Sequence, residues 1–292
     1  MKRVTSFRAS LIGVLGIFLM SVDAAQAAEQ KQEVSNISPY IVGGHDVRDD
    51  AYPFMVTLQG SADSALHGHR CGGSLIDQQT ILTAAHCVVH LGSILPPERL
   101  SVIVGRTVLT NENQGMRMGI SKIFVHPRYL DDQGYDVAVL RLKNKILGYG
   151  AIALAVPGSD VLEVPGTPLT VIGWGHTRHA SPRGTDRLQE VEVPAVAYDE
   201  CLAAYSDTEL MSGNREVDLC AGSEGFDSCQ KDSGGPLFKA VGDKRQLVQV
   251  GVVSRGRGCA AKGRPGIYVR LRSIEVHDFI RDPERFQSSL LN

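Results

Sequence analysis

The sequence predicts an all-β fold, a sandwich or a barrel, and three observations carry that expectation. From Ile41 onward short apolar runs rich in Val and Ile recur, among them PFMVTLQ, LSVIVG, DVAVLRL, PLTVIGWG, LVQVGVVS and GIYVRL. Most are shorter than a helix, and Gly, Pro, Asn or Asp punctuates them, as expected of strands joined by tight turns. Hydrophobic residues make up 43% of the 292 positions and charged residues 21%, which is enough apolar material for a real core. One segment departs from the pattern: Ile274, Val276, Phe279 and Ile280 predict a terminal helix. The formal net charge of −2 gives no global reason to expect nucleic acid or an anionic membrane as a partner.

The first forty residues stand apart from this pattern. Lys2, Arg3 and Arg8 precede an apolar run from Leu11 to Met20, and Ala25-Gln26-Ala27 supplies an A-x-A cleavage site. The run is about half the ~20 residues needed to cross a bilayer, so residues 1–27 read as a signal peptide and not as an anchor. No later stretch is long enough to span. Residues 28–40, polar and without periodicity, read as a pro-segment or linker. Export to a periplasm or the medium makes the six cysteines interpretable: Cys71, Cys87, Cys201, Cys220, Cys229 and Cys259 are even in number and expected as disulfides. Counting alone leaves about 15 pairings open. No C-x-x-C occurs, so a zinc site is not expected.

Three local sequences carry chemistry. They are TAAHC with His86, DVAVL with Asp136, and DSCQKDSGGP with Ser233. Singly, His86 reads as an ordinary structural histidine, Asp136 as a turn residue, and Ser233 as part of a tight Gly-Gly-Pro turn. Together they supply what amide hydrolysis requires: a nucleophile, a base with a pKa near neutral, and a group that holds the base in the right tautomer.

On these motifs, with their order His, Asp, Ser, the chain resembles the trypsin-like serine proteases of the chymotrypsin family, from IVGG at Ile41 to the terminal helix. The resemblance implies two antiparallel six-stranded β-barrels with the active site in the cleft between them and a C-terminal helix. It assigns a peptidase domain to residues 41–281 and a tail to 282–292. It implies a catalytic triad of His86, Asp136 and Ser233, with Ser254 bonded to the aspartate, and an oxyanion hole from the N–H groups of Lys231 and Ser233. It places Asp227 and Ser228 at the base of a primary pocket walled by Gly256 and Gly266. A carboxylate there suits a substrate Arg or Lys. The implied pairings are Cys71–Cys87, Cys201–Cys220 and Cys229–Cys259. The implied activation is cleavage before Ile41, whose freed amine would pair with Asp232. The expected partners are protein or peptide substrates and an activating protease; no cofactor and no metal is expected.

Five positions depart from the family pattern. Lys231 stands where glycine is usual, and its bulk is expected on the leaving-group side. Arg255 replaces the usual Trp after Ser254, and its charge is expected to face substrate on the other side of the scissile bond. Arg106 and Gly115 fall where the calcium-binding loop of many trypsins carries carboxylates, so calcium is not expected. Tyr40 precedes Ile41 in place of the usual Arg or Lys, so the precursor should not cut itself there. Two other classes fit less well: a protease homologue retained only for binding, which would usually lose a triad member, and an esterase, for which no G-x-S-x-G elbow is present.

Overall fold

The computed structural model describes residues 43–60, 68–176, 184–259 and 261–288. The segments read as a signal peptide and a pro-segment, with Tyr40, and Ile41 lie outside the described residues. Twelve strands build two closed barrels. The first comprises β1 (Met55–Gln59), β2 (His69–Asp77), β3 (Thr80–Thr83), β4 (Ser101–Val104), β5 (Met116–Val125) and β6 (Ala138–Leu142). The second comprises β7 (Pro168–Gly173), β8 (Gln189–Val196), β9 (Asp218–Ala221), β10 (Pro236–Val241), β11 (Gln246–Arg255) and β12 (Gly266–Arg270).

Both barrels close in one strand order. The first runs β1-β2-β3-β6-β5-β4 and back to β1. The second runs β7-β8-β9-β12-β11-β10 and back to β7, the β8–β9 pairing completing the ring. All of these pairings are antiparallel, and closure leaves no barrel edge open to another chain. Strand β8 shows why the sequence adopts this form: Val191, Val193 and Ala195 are buried while Glu192 between them is exposed, the period-two pattern of a strand with one face inward. Strand β1 is buried along its whole length, which is why its sequence reads as a run and not as an alternation.

Three helices complete the described fold. The predicted terminal helix is α2 (Ile274–Arg281), which follows α1 (Tyr198–Ala204). Val276, Phe279 and Ile280 are buried as expected, but Ile274 is exposed, because it lies on the opposite face of the first turn. Helix α1 was not expected; it has seven residues and buries only Cys201, too little to show a period. The region read as a tail begins with a further helix, α3 (Pro283–Ser288), whose Phe286 ring meets Phe279 edge-on at 5.8 Å. Among the described residues no helix is long and apolar enough to cross a membrane.

The cysteines pair as Cys71–Cys87, Cys201–Cys220 and Cys229–Cys259. The barrels meet where bulk is excluded. The N–H of Gly72 on β2 donates to the carbonyl of Ser233 at 2.8 Å. Gly234 has φ +80, and a Cβ there would lie 2.2 Å from Thr83 Oγ1 and 2.6 Å from the Gly72 carbonyl. Only glycine fits both the backbone angle and the space.

The loop joining β4 to β5 is organised around a side-chain cation. Arg106 is 5% exposed. Its guanidinium donates to the carbonyls of Gln114 (2.9 Å), Leu109 (3.0 Å) and Glu112 (3.4 Å). Carbonyl oxygens that in other loops could surround a metal ion here converge on a fixed guanidinium. Arg106→Ala should therefore lower stability by about 2–3 kcal/mol in urea denaturation, because buried carbonyls lose their donors. A chelator added to the wild type should leave the midpoint unchanged.

Candidate active site

Barrel topology brings His86 and Asp136 together. Strands β3 and β6 are paired with Thr83 opposite Ala138. His86 lies three residues beyond one end and Asp136 two residues before the other, so both leave the sheet at the same place. A 3₁₀ turn, Ala85–Cys87, presents His86; another, Gln133–Tyr135, delivers Asp136. Asp136 Oδ1 accepts the His86 backbone N–H at 2.9 Å, and Oδ2 accepts the imidazole Nδ1–H at 2.7 Å. Oδ2 also accepts the Ser254 hydroxyl at 2.6 Å, so the second barrel supplies part of the aspartate's environment.

These contacts set both protonation states. Burial alone would raise the Asp136 carboxyl, but the His86 charge and the hydrogen bonds from His86 and Ser254 hold it below its ordinary value. For His86, burial pulls the pKa down; the Asp136 charge and hydrogen bond outweigh it and raise it above the ordinary value, while Arg70 and Arg255 oppose them. With the proton on Nδ1 bound by Asp136, Nε2 is left bare toward the cleft, the state a general base requires.

Ser233 comes from the loop before β10 and lines a cavity of about 190 Å³ together with Asp227, Ser228, Ser254, Gly256 and Gly266. Asp227 is buried, only 4% exposed. Ser228 Oγ donates to Asp227 Oδ1 at 3.5 Å and accepts from the Tyr268 hydroxyl at 3.1 Å. A Cβ on Gly266 would lie 2.7 Å from Asp227 Oδ1, whereas one on Gly256 would meet nothing nearer than 3.7 Å. One wall thus requires glycine, and the other is simply open. The Cys229–Cys259 bridge ties the two segments that form the cavity.

Around Ser233, the N–H groups of Asp232, Gly234 and Gly235 donate to the carbonyls of Cys229, Val253 and Asp232. Those of Lys231 and Ser233 donate to no protein group among the described residues. Asp232 is wholly buried, its carboxylate accepting N–H bonds from Gly175 (2.7 Å) and Cys229 (2.8 Å), and burial pushes its pKa up to about 7. Two amide donors do not offset the loss of water for a full charge.

Lys231 has φ +77, the left-handed region that favours glycine. A contact that the sequence did not announce holds it there. His69 Nε2 meets the Lys231 carbonyl at 3.1 Å, so Nε2 carries the proton, and Nδ1 accepts from Thr57 Oγ1 at 2.7 Å. Burial, with the Lys231 charge adding to it, pushes His69 down to about 4, so the ring is neutral at working pH and the bond persists. A lone histidine two residues before Cys71 carries no sequence signal for this role.

Arg255 does not stand as expected. Arg255 lines the Ser233 cavity, but its side chain is only 9% exposed and its guanidinium is taken up by protein groups. It pairs with the buried Asp218 and donates to the carbonyls of Leu210 (2.5 Å) and Gln133 (3.2 Å) and to Ser254 Oγ (3.1 Å). A buried arginine must find a counter-charge, and Asp218, 37 residues away in sequence, provides it. The Asp218 carboxylate meets its charge, which weakens Arg255 as a selector of substrate residues.

Two outcomes follow. The left-handed conformation costs a side-chain-bearing residue roughly 1–2 kcal/mol, and glycine's extra unfolded freedom takes back about 0.5–1. Lys231→Gly should therefore raise stability by up to about 1 kcal/mol, read as a higher urea midpoint. The kcat/KM profile should rise with pH through an ionisation above the ~6.5 of free histidine, because His86 must be neutral to act and its pKa is raised. Asp136→Asn should remove that raised limb.

Comparison with known proteins agrees with this geometry. Residues 41–280 match the family model described as Trypsin. A tryptase of Mus musculus is 38% identical over 239 residues, covering 79% of this chain and 84% of the mouse protein. A trypsin of Saccharopolyspora erythraea is also 38% identical, over 234 residues, covering 79% of this chain and 93% of its own length. The heavy chain of a venom peptide isomerase from Agelenopsis aperta is 34% identical over 239 residues, with 80% and 96% covered. The chain belongs to the trypsin family of serine endopeptidases.

Proposed function

We propose that this chain is an exported endopeptidase that cuts after Arg and Lys through an acyl-enzyme on Ser233 and becomes competent when cleaved before Ile41. The observation that carries the reading is a single constellation. Ser254 braces the Asp136–His86 pair and also lines a cavity that it shares with Ser233 and the buried Asp227.

In this reading His86 Nε2 takes the Ser233 hydroxyl proton as Oγ attacks the scissile carbonyl. Charge moves onto the carbonyl oxygen, and the N–H groups of Lys231 and Ser233, unclaimed by other described groups, receive it. His86 returns the proton to the leaving amine, and an ester on Ser233 remains. Water then repeats the sequence with His86 again as base. Asp136 stays ionised throughout and stabilises the imidazolium.

Asp227 supports basic specificity. A narrow cavity with a carboxylate at its end favours a long cationic side chain that brings both a counter-charge and hydrogen bonds. Asp232 supports activation. Its buried carboxyl lacks a cation among the described residues, and an arriving α-ammonium would supply one and pull its pKa down. We assign Lys231 to the leaving-group side, near His69 and His176, both of which its charge disfavours in protonated form. The A-x-A segment and three disulfides support export.

A binding protein without turnover is the second reading, and one observation favours it: a strained lysine at the proposed oxyanion hole. Labelling by an active-site serine phosphonate with a basic group separates the two, since only a competent triad reacts. A peptide library treated with protein matured at Ile41 should be cut after Arg and Lys. Asp227→Ser should lose that preference. Equal cleavage after Phe or Leu by the native protein rejects the role given to Asp227. Purified wild-type and Ser233→Ala precursors should both stay intact at Tyr40–Ile41, because tyrosine brings no cation to Asp227. Conversion by wild type alone rejects either the specificity or the maturation site.

A further inference from the structure

Arg255 ends strand β11, one residue after the serine that braces Asp136. Its guanidinium reaches acceptors on four separate segments: Asp218 on β9, the Leu210 carbonyl after α1, the Gln133 carbonyl, and Ser254 Oγ. Two of these bear on the catalytic aspartate. Gln133 opens the 3₁₀ turn that leads directly into Asp136. Ser254 Oγ has one proton and two lone pairs. Because it accepts from Arg255, its own proton must point elsewhere, and Asp136 Oδ2 at 2.6 Å receives it. Without a donor at that position the hydroxyl oxygen loses the second contact that fixes its place against Asp136.

We propose that Arg255 is a positioning residue for catalysis: clamped by Asp218, its guanidinium fixes the Ser254 hydroxyl and the Gln133 turn, which together set Asp136 and hence His86. The proposal rests on the reading of His86 as base and Asp136 as its orienter. The ion pair is needed as a pair. An arginine buried here without Asp218 would be an uncompensated cation beside a histidine that must itself become positive in the transition state. Neutralised by Asp218, the guanidinium contributes direction at little electrostatic cost to the imidazolium. The floor beside Ser254 is accordingly polar and charge-balanced.

The test uses protein matured at Ile41, with activity expressed per phosphonate-titrated site. Arg255→Gln should lower kcat about ten-fold, the size of effect found when an outer hydrogen bond that orients an inner ligand is lost. KM should change less than about two-fold, because the lost contact does not touch substrate. The charged groups facing His86 are Asp136, Arg70 and Arg255, with Tyr129 facing Asp136. Removing the Arg255 cation should therefore move the acid limb of kcat/KM to higher pH. Asp218→Asn, which keeps the cation but frees it, should also lower kcat, with the acid limb moving the other way. Arg255→Lys should leave the limb in place, with kcat between wild type and Arg255→Gln. An active wild type with kcat unchanged in Arg255→Gln, or with KM alone altered, overturns the proposal. If Arg255→Gln does not fold, an unaltered kcat in Asp218→Asn overturns it. A wild type that neither titrates nor turns over overturns the triad reading and this proposal with it.

Discussion

A carboxylate moved out of water is tolerated only where its charge is met, and Asp136 is met from three directions. The imidazole and backbone N–H of His86 come from the first barrel, and the Ser254 hydroxyl comes from the second. Removing one partner of such a buried charge costs about 3–5 kcal/mol, far more than the pair adds over an apolar substitute. The aspartate thus places a strong condition on the fold. Strands β3 and β6 must stay in register, and the two barrels must stay docked. The Gly72–Ser233 hydrogen bond and the missing side chain at Gly234 maintain that docking at the same point where Ser233 is presented. Barrel docking and the presentation of Ser233 thus rest on the same contacts.

The second buried carboxylate, Asp232, behaves in the opposite sense, and the contrast is physical. Asp136 has a histidine that can carry charge and lies below its ordinary pKa; Asp232 has two amide N–H groups and rises to about 7. Only three residues separate Asp232 from the cavity-lining serine Ser228. Where Asp232 sits bears on the Lys231 and Ser233 N–H groups on either side of it. A buried acid left with weak compensation is a lever: whatever cation reaches it gains its full interaction energy.

How much of this was legible in the sequence depended on how local each signal was. His86, Asp136 and Ser233 were legible because each lies in a short motif, and the strands because Val- and Ile-rich runs announce themselves. The closure of the barrels was legible through the resemblance and not through the runs themselves, since β8 meets β9, and β1 meets β4, through pairings with no local signature. The repeated strand order of the two barrels left no internal repeat in the sequence. Arg255 was read as a cleft charge because its partner Asp218 lies 37 positions away, and a sequence shows that a charge exists but not whether it is met. His69 was passed over for the same reason, its carbonyl partner being 162 residues distant. Helix α1 was too short to have a period.

Lys231 shows how such long-range contacts decide what a local rule permits. A lysine at φ +77 breaks the preference of that backbone region. Strain of this kind persists only where the surroundings over-determine the conformation. Here they do, on both sides of the residue. The Gln230 carbonyl before it accepts the His176 N–H at 2.9 Å, and the carbonyl of Lys231 itself is held by a histidine that stays neutral. The next residue, Asp232, is fixed by its carboxylate and by the bond from its N–H to the Cys229 carbonyl, and Cys229 is held in turn by its bridge to Cys259. With both flanks pinned, the backbone angle follows from the neighbours and not from the side chain. The lysine can therefore be present without displacing the N–H groups on either side of Asp232.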